Sequence, residues 1–456
     1  MSTHRRFDYH STADLQTDLT AFNLELPVSG SLSSLAEPVA IGTGTAANRI
    51  AVQPMEGCDG TDDGSPGPLT LRRYQRFASG GSGLLWVEAN AVVAEGRANP
   101  HQLWLHSDNV VRFTELVELI KREAPREPYT VLQLTHSGRY SRPVDRPRPQ
   151  VAVDNPYLDK PGQQNELLSD HTLAALVPAY VKAAKLAWEA GFNAVDVKAC
   201  HRYLLNELLS ARTRPGRYGG TLENRSRLLL DIVQAIKAEV PIDVAVRLNA
   251  YDEIPYPFGW GVSESDHRVP DLSETRWLAV RLKEAGVSMI NVTGGNPYYN
   301  PHVNRPYDSG PYQPPQHQLF HAVKLLQACR SLRSVLLEND EKSGQEKHPV
   351  RLLASGVSWL RHLAAPVSAA LVQHGWCDLV GFGRQAFAYP DFASDLLAGE
   401  MDEKKCCIAC GKCSEIMRDG GSAGCVIRDS AVYLPIYQAG RAGKAPLTSK
   451  ASGEHV

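Results

Sequence analysis

The sequence predicts a (β/α)8 barrel of the α/β class, and three observations lead there. Eight short apolar runs recur along the 456 residues, each followed by a segment of helical hydrophobic period. Several of these runs alternate apolar with polar residues towards their C-terminal ends, where barrel enzymes place their chemistry. No early G-x-G-x-x-G follows a strand, so a doubly wound sheet is the second choice.

The expected strands are Arg49–Met55, Gly83–Val92, Tyr129–Ser137, Ala194–Cys200, Asp243–Ala250, Val287–Gly294, Val350–Val357 and Cys377–Arg384. The helices fall between them, at Val110–Ala124, Thr172–Ala190, Ser226–Val240, Glu274–Ala285 and Leu319–Leu332, with shorter ones at Ser368–Gly375 and Phe392–Gly399. Strand parity carries information. In the fourth strand Val195, Val197 and Ala199 share the face suited to helices, while Asp196, Lys198 and Cys200 point into the barrel. The fifth sets Val244, Val246 and Leu248 against Arg247 and Asn249, and the third sets Leu132 and Leu134 against Gln133 and Thr135. A cation at a strand end is costly to bury unless it has a use.

Residues 1–34 read as an irregular N-terminal arm, 35–400 as the barrel, 401–430 as a cysteine-rich segment and 431–456 as a tail, with partial disorder expected from 426 onward. Asp59–Pro68 and Ser141–Gln164 are loops, the second long enough to cover an active site or to lie plainly on the surface. Asn339–His348 is a charged, solvated insertion. Net charge is −2, so no basic surplus points to nucleic acid. The N-terminus lacks an apolar signal region and no apolar run could span a bilayer, so a soluble cytoplasmic protein with reduced cysteines is expected. A homo-oligomer is compatible with all of this.

Five of the nine cysteines fall between Cys406 and Cys425. Read as C-x2-C-x2-C-x11-C, residues Cys407, Cys410, Cys413 and Cys425 offer four soft thiolates, suited to a cubane iron–sulfur cluster or a tetrahedral zinc site. Three packed cysteines plus a distant fourth is the usual cluster layout, whereas zinc ribbons split into two pairs; a disulfide pair is the bland alternative. Cys406 could replace Cys407. Cys58, Cys200, Cys329 and Cys377 read as structural thiols in core slots.

The densest motif runs Asp196-Val-Lys198-Ala-Cys-His201-Arg-Tyr203, then through Tyr218-Gly-Gly and Glu223-Asn-Arg. It resembles the strand-four motif of the old yellow enzyme family of FMN oxidoreductases. Pro54-Met55-Glu56, Val87-Glu88-Ala89, Gln133 to Arg139, Val246-Arg247-Leu248, Ala354-Ser-Gly356-Val and Gly381-Phe-Gly383-Arg384 extend the match on successive strands, from residue 35 to about 395. The cysteine segment narrows it to the iron–sulfur branch that includes bacterial 2,4-dienoyl-CoA reductase, 2-enoate reductase and trimethylamine dehydrogenase. Members of that branch continue into two nucleotide-binding domains. This sequence ends at Val456, so NAD(P)H reducing FMN directly, or a separate electron-transfer protein, is the expected donor.

The resemblance implies site roles. Ser355, Gly356, Gly383 and Arg384 would hold the FMN phosphate, Arg247 the N1/C2 side of the flavin, and Gln133 with the backbone at Pro54, Met55 and Ala89 its pyrimidine edge. Lys198 and His201 would bind the oxygen of an unsaturated carbonyl or carboxylate, and Tyr203 would protonate the α-carbon after hydride transfer. A [4Fe–4S] cluster on Cys407, Cys410, Cys413 and Cys425 would exchange electrons with FMN from a segment standing apart from the barrel end. Two positions depart from the family: Lys198 where His is usual, which favours carboxylate or enolate over a neutral ketone, and Arg202 where Gly is common, a further cation near the pocket.

The expected function is reduction of an activated C=C bond in an enoate, enoyl thioester or enone. Rival readings are oxidation of an amine or saturated ring by the same centres, a Schiff-base lyase using Lys198, and a non-catalytic electron-transfer subunit. Glu56 and Asp59 could reach the flavin edge or be solvated loop acids. His136 could line the pocket or pack towards the helices. Arg247 and Gln133 could instead form a buried hydrogen-bonded pair.

Overall fold

Strands buried on both faces need one apolar side for the helices and a second for the barrel axis. The computed structural model describes residues 4–144, 146–163, 165–343 and 349–444. In it β1 (Ile50–Val52), β2 (Leu84–Ala91), β3 (Tyr129–Thr135), β4 (Ala194–Val197), β5 (Asp243–Asn249), β6 (Met289–Thr293), β7 (Arg351–Ala354) and β8 (Leu379–Phe382) form a closed ring. All its pairings are parallel, from Ala51↔Leu84 round to Val380↔Ile50, so the ring has no free edge. Helices between the strands pack outside it, as the sequence predicts for a (β/α)8 barrel.

The two faces build two cores. Val195, Val197, Val244, Val246 and Ile290 pack outward against the helices, whereas Trp86, Val131, Ala245, Met289, Leu353 and Leu379 fill the barrel interior. A short hairpin, Val39–Ile41 with Gly44–Ala46, closes the N-terminal mouth over this inner core. Asp243 fastens it, accepting from the Thr43 amide and the Tyr129 hydroxyl, both at 2.8 Å. With the lower half sealed, the inward residues of the upper half are free to be polar.

Four details differ from the sequence reading. The arm contains a helix, Thr12–Ala21, because Ser11 and Asp14 form a capping box and Leu15 and Leu19, four apart, bury one face. A helix at Pro68–Ser79, absent from the expected set, starts with Pro at its first position. The helix predicted to end at Leu332 runs from Gln318 to Ser343, through part of the expected solvated insertion; residues 344–348 lie outside the described residues. The C-terminal region forms helices at Lys412–Arg418 and Ser430–Arg441, and only 445–456 of the expected tail lies outside the described residues. Among the described residues no helix is long and apolar enough to cross a membrane.

Candidate functional site

Above the apolar inner core, inward strand positions turn polar. Asp196 of β4 accepts from Trp86 Nε1 at 3.0 Å, Gln133 Nε2 at 2.6 Å and the Arg247 amide at 2.6 Å. Burial pushes its carboxyl up to about 6. Gln133 is therefore tied to Asp196 rather than paired with Arg247. A second link joins Asn291 Nδ2 to Gln53 Oε1 at 2.7 Å, and Gln53 Nε2 to Ser355 Oγ at 3.2 Å. These pairs form the floor of a cavity of about 650 Å³, within the range of cofactor and ligand sites.

All twelve expected catalytic and cofactor residues line that one cavity: Pro54, Met55, Ala89, Gln133, Lys198, His201, Tyr203, Arg247, Ser355, Gly356, Gly383 and Arg384. Lys198 and Arg247 are 5% and 8% exposed, yet neither side chain has a hydrogen-bond or ion-pair partner among the described residues. The Lys198 ammonium rests on the Tyr203 ring, 3.7 Å from its centroid, and burial lowers its pKa. His201 is held neutral by burial and by the cations Arg247, Lys198 and Arg305. Asn304 Nδ2 stands 2.9 Å from His201 Nε2; that amide can only donate, which assigns the ring proton to Nδ1. Tyr203 is buried, its phenol raised well above its usual pKa, with its hydroxyl 3.1 Å from that of Tyr298.

At the β7–β8 end, Gly356 adopts φ +102°, a conformation that favours glycine, and a side chain at Gly383 would come 2.9 Å from Met55 Sδ. The Gly383 amide already donates to Ser358 Oγ at 3.2 Å, Ser355 Oγ donates to the Val292 carbonyl at 2.6 Å, and Arg384 Nη2 donates to the Pro306 carbonyl at 2.7 Å. A flavin mononucleotide brings an anionic phosphate and a ring that gains negative charge on reduction. The close-approach glycines, Arg384 and the unpartnered Arg247, whose buried Nε lacks any acceptor, fit such a group.

Other expectations need correcting. Arg202 does not join the pocket: it is fully buried, paired with Asp252 at 2.9 Å and bonded to Ser210 Oγ and the Phe258 carbonyl. His201 and Arg202 both have φ near +61°, and this double left-handed turn carries the Arg202 side chain away. His136 also lies off the cavity; its Nδ1 accepts from the Gly138 amide at 3.1 Å, and burial lowers it to about 4. Asp59 is held by Arg73 at 2.5 Å, whereas Glu56 does line the cavity, accepting from Asn99 Nδ2 at 3.1 Å. Cys58 is no core thiol; it lines the cavity beside Asn99. Tyr298, Asn304 and Arg305 also line it, from the β6 connection, and the only sequence signal for them is polar and aromatic residues after Gly294-Gly295.

The four expected ligand cysteines line a second, smaller cavity together, and all are free thiols. Cys406 turns the other way, its sulfur accepting from Gln385 Nε2 at 3.2 Å, which favours Cys407 of the two. Among the described residues no three His, Cys, Asp or Glu side chains are disposed as a metal would hold them. In chemistry and convergence the thiols suit a thiolate-held group. The segment does not stand apart from the barrel end, since Arg384, Phe387 and Cys413 line both cavities. The Cys407 amide donates to Gln385 Oε1 at 3.0 Å, and the Ala423 amide to the Gly57 carbonyl at 2.7 Å.

A sequence profile of the NADH:flavin oxidoreductase / NADH oxidase family matches residues 34–275. The chain belongs to that family. It is a flavin-dependent oxidoreductase. An NADPH dehydrogenase of Geobacillus sp. (strain WCH70) is 33% identical over 266 residues, 57% of this chain and 73% of that protein. A metal reductase of Desulforamulus reducens is 26% identical over 388 residues, 84% of this chain and 51% of the relative. Among solved structures, 2-naphthoyl-CoA reductase in complex with 2-naphthoyl-CoA superposes with a TM-score of 0.69 at 19% identity, over 87% of this chain and 57% of that one. The amine oxidase HisD of Pseudomonas geniculata N1 gives 0.67 at 21%, over 91% and 56%. At these identities the structural likeness speaks for the fold. The chain spans little more than half of both solved chains.

Proposed function

We propose that this protein is an FMN- and [4Fe–4S]-dependent reductase of activated C=C bonds in enoates, enoyl thioesters or enones. The observation that carries the reading is a pair of buried, unpartnered cations, Lys198 and Arg247, facing one cavity beside the buried phenol of Tyr203. When bound, the flavin would supply hydride to the substrate's β-carbon and a cluster would pass electrons singly. Arg247, Gln133, Ala89 and the Pro54–Met55 backbone would hold the ring end, and Ser355, Gly356, Gly383 and Arg384 the phosphate. Cys407, Cys410, Cys413 and Cys425, within a cluster-binding segment 401–430 that follows a barrel domain 35–400, would hold the cluster.

On the substrate side, Lys198 and the Nδ1 proton of His201 would hold the substrate oxygen and draw electron density from the double bond. Lys198 is the stronger of the two towards an anion, so carboxylates are favoured over neutral enones. Tyr203 would give its hydroxyl proton to the α-carbon. Electrons would come from NAD(P)H or from a separate donor protein.

The test is anaerobic. Protein reduced with NADPH or dithionite is mixed with unsaturated acids, thioesters and enones while flavin absorbance is followed. Rapid reoxidation by at least one class, with FMN released on denaturation and about four irons with sulfide per chain, is expected. Reoxidation by none of them, with rapid flavin reduction by amines instead, would favour the oxidative reading. The Schiff-base reading keeps one support, the lowered pKa of Lys198. It requires a borohydride-stable adduct at that residue, and none is expected.

A further inference from the structure

We infer that Arg305 and Arg418 complete, with Arg384, the site for the flavin's phosphate, so that the barrel and the cysteine-rich segment hold one anion together; this rests on the flavin mononucleotide reading above. All three arginines line the larger cavity. Arg384 opens the helix after β8, Arg305 follows the short helix Pro301–Asn304 in the β6 connection, and Arg418 ends the helix Lys412–Arg418. In the ring β8 stands across from β4, which leads into Lys198, so the arginines gather away from the substrate-facing groups.

Backbone bonds bring the three together. Arg384 Nη2 donates to the carbonyl of Pro306, the residue after Arg305, at 2.7 Å. The Asp308 amide donates to the Ala409 carbonyl at 3.0 Å, which docks the same connection on the cysteine-rich segment. Burial lowers Arg305 to about 10; the neighbouring Cys413 opposes that fall, and the like charges of Arg384 and Arg418 add to it. The carboxylates on these elements are taken. Asp308 accepts from Trp359 Nε1 and Arg361, both at 2.8 Å, Glu415 accepts from the Tyr437 hydroxyl at 2.6 Å, and Asp419 pairs with Arg441. Among the described residues neither Arg305 nor Arg418 has an ion-pair partner, and Arg384 has only the Pro306 carbonyl.

Three like charges so placed repel, and an anion among them replaces that repulsion with attraction. A phosphate monoester suits the place, because it carries about two negative charges and three acceptor oxygens. Guanidinium forks match those oxygens better than an ammonium would. Gly383, the close-approach glycine, directly precedes Arg384, so the backbone can come up to the same group that the side chains surround. Arg305 also lies beside Cys413, which puts the phosphate site against the wall shared by the two cavities.

The experiment compares FMN with riboflavin, which differs from it only in lacking the phosphate. Both are titrated by flavin fluorescence into anaerobically prepared, flavin-free full-length protein. Arg305→Met should weaken FMN binding by about 10–100-fold while leaving riboflavin within about twofold of wild type, which also shows that the variant folds. Arg418 is exposed, so Arg418→Ala should cost FMN about threefold, and only at low salt. Equal weakening of FMN and riboflavin in Arg305→Met would mean a purely structural role and sink the assignment. Unchanged FMN affinity, with more NADPH or substrate needed instead, would give the arginines to a phosphate on one of those molecules and overturn it. If wild type binds neither flavin, the flavin reading fails by itself. Inorganic phosphate must then raise the melting temperature of wild type, and not that of Arg305→Met, for the anion site to stand.

Discussion

Arg73 and Arg247 are both buried arginines at the same end of the barrel, 3% and 8% exposed, and they are treated in opposite ways. Arg73 bonds Asp59 at 2.5 and 2.9 Å and also pairs with Glu88, whose second oxygen takes the Gly57 amide at 2.6 Å. Arg202, deeper still, has Asp252. Among the described residues, Arg247 and Lys198 face a cavity with no counterion in bonding contact. A buried charge without a partner is costly; Arg73, Arg139 and Arg202 have carboxylate partners, and on the proposed reading Arg247 and Lys198 are left for a ligand to pair. On that reading, charge satisfaction separates the residues that hold the barrel together from those that would hold a ligand.

Breaking the paired side should give the largest effect. Arg73→Met strands two buried carboxylates and should cost about 3–5 kcal/mol of unfolding free energy in urea. A loss below about 1 kcal/mol would erase the distinction. On the unpaired side, Arg247→Met should barely alter stability. It should weaken flavin binding to the apoprotein by about 10–100-fold, the value of a hydrogen bond to a charged group, measured by fluorescence titration.

The floor between the two sides titrates with its own sign. Asp196 is raised to about 6 by burial, above its usual 3.8, so between those values the folded protein holds a proton that the unfolded chain has released. Its contribution to stability falls as pH rises through that window. Wild type should gain stability relative to Asp196→Asn on acidification from about pH 6 to about pH 4 in paired thermal melts. A pH-independent difference would show that Asp196 is already ionised there. The smallest effect belongs to pairs outside both classes. The Arg112–Glu115 pair on a helix surface is about half exposed, and Arg112→Ala should change stability by less than about 0.5 kcal/mol.

The barrel was legible because period-two alternation and the recurring β/α order are local signals, present in β3, β4 and β5 before any packing is known. The same alternation brought out Gln133, Lys198 and Arg247, since a strand residue's direction follows from its parity. Connections carry no such rule. Tyr298, Asn304 and Arg305 reach the cavity along a loop whose path is set by Asn296 and Asn300, and Cys58 does so through a left-handed residue. Arg202 shows the converse: its place in the motif suggested the pocket, but two successive positive φ angles turned it into the core. Convergence of the four cysteines was readable from spacing. Their shared wall with the larger cavity was not, because it depends on how the segment folds back.

That fold-back has a consequence for how the molecule is made. The Ala423 amide grips the carbonyl of Gly57, and Asp429 is bound by Arg72 and Arg76, so a late segment clamps the connection that carries Glu56 and Cys58. During synthesis the ring of strands is complete once residue 382 has emerged and can close without its clamp. The wall beside Tyr203 must wait another forty residues or so, which makes it among the last parts of the molecule to be finished.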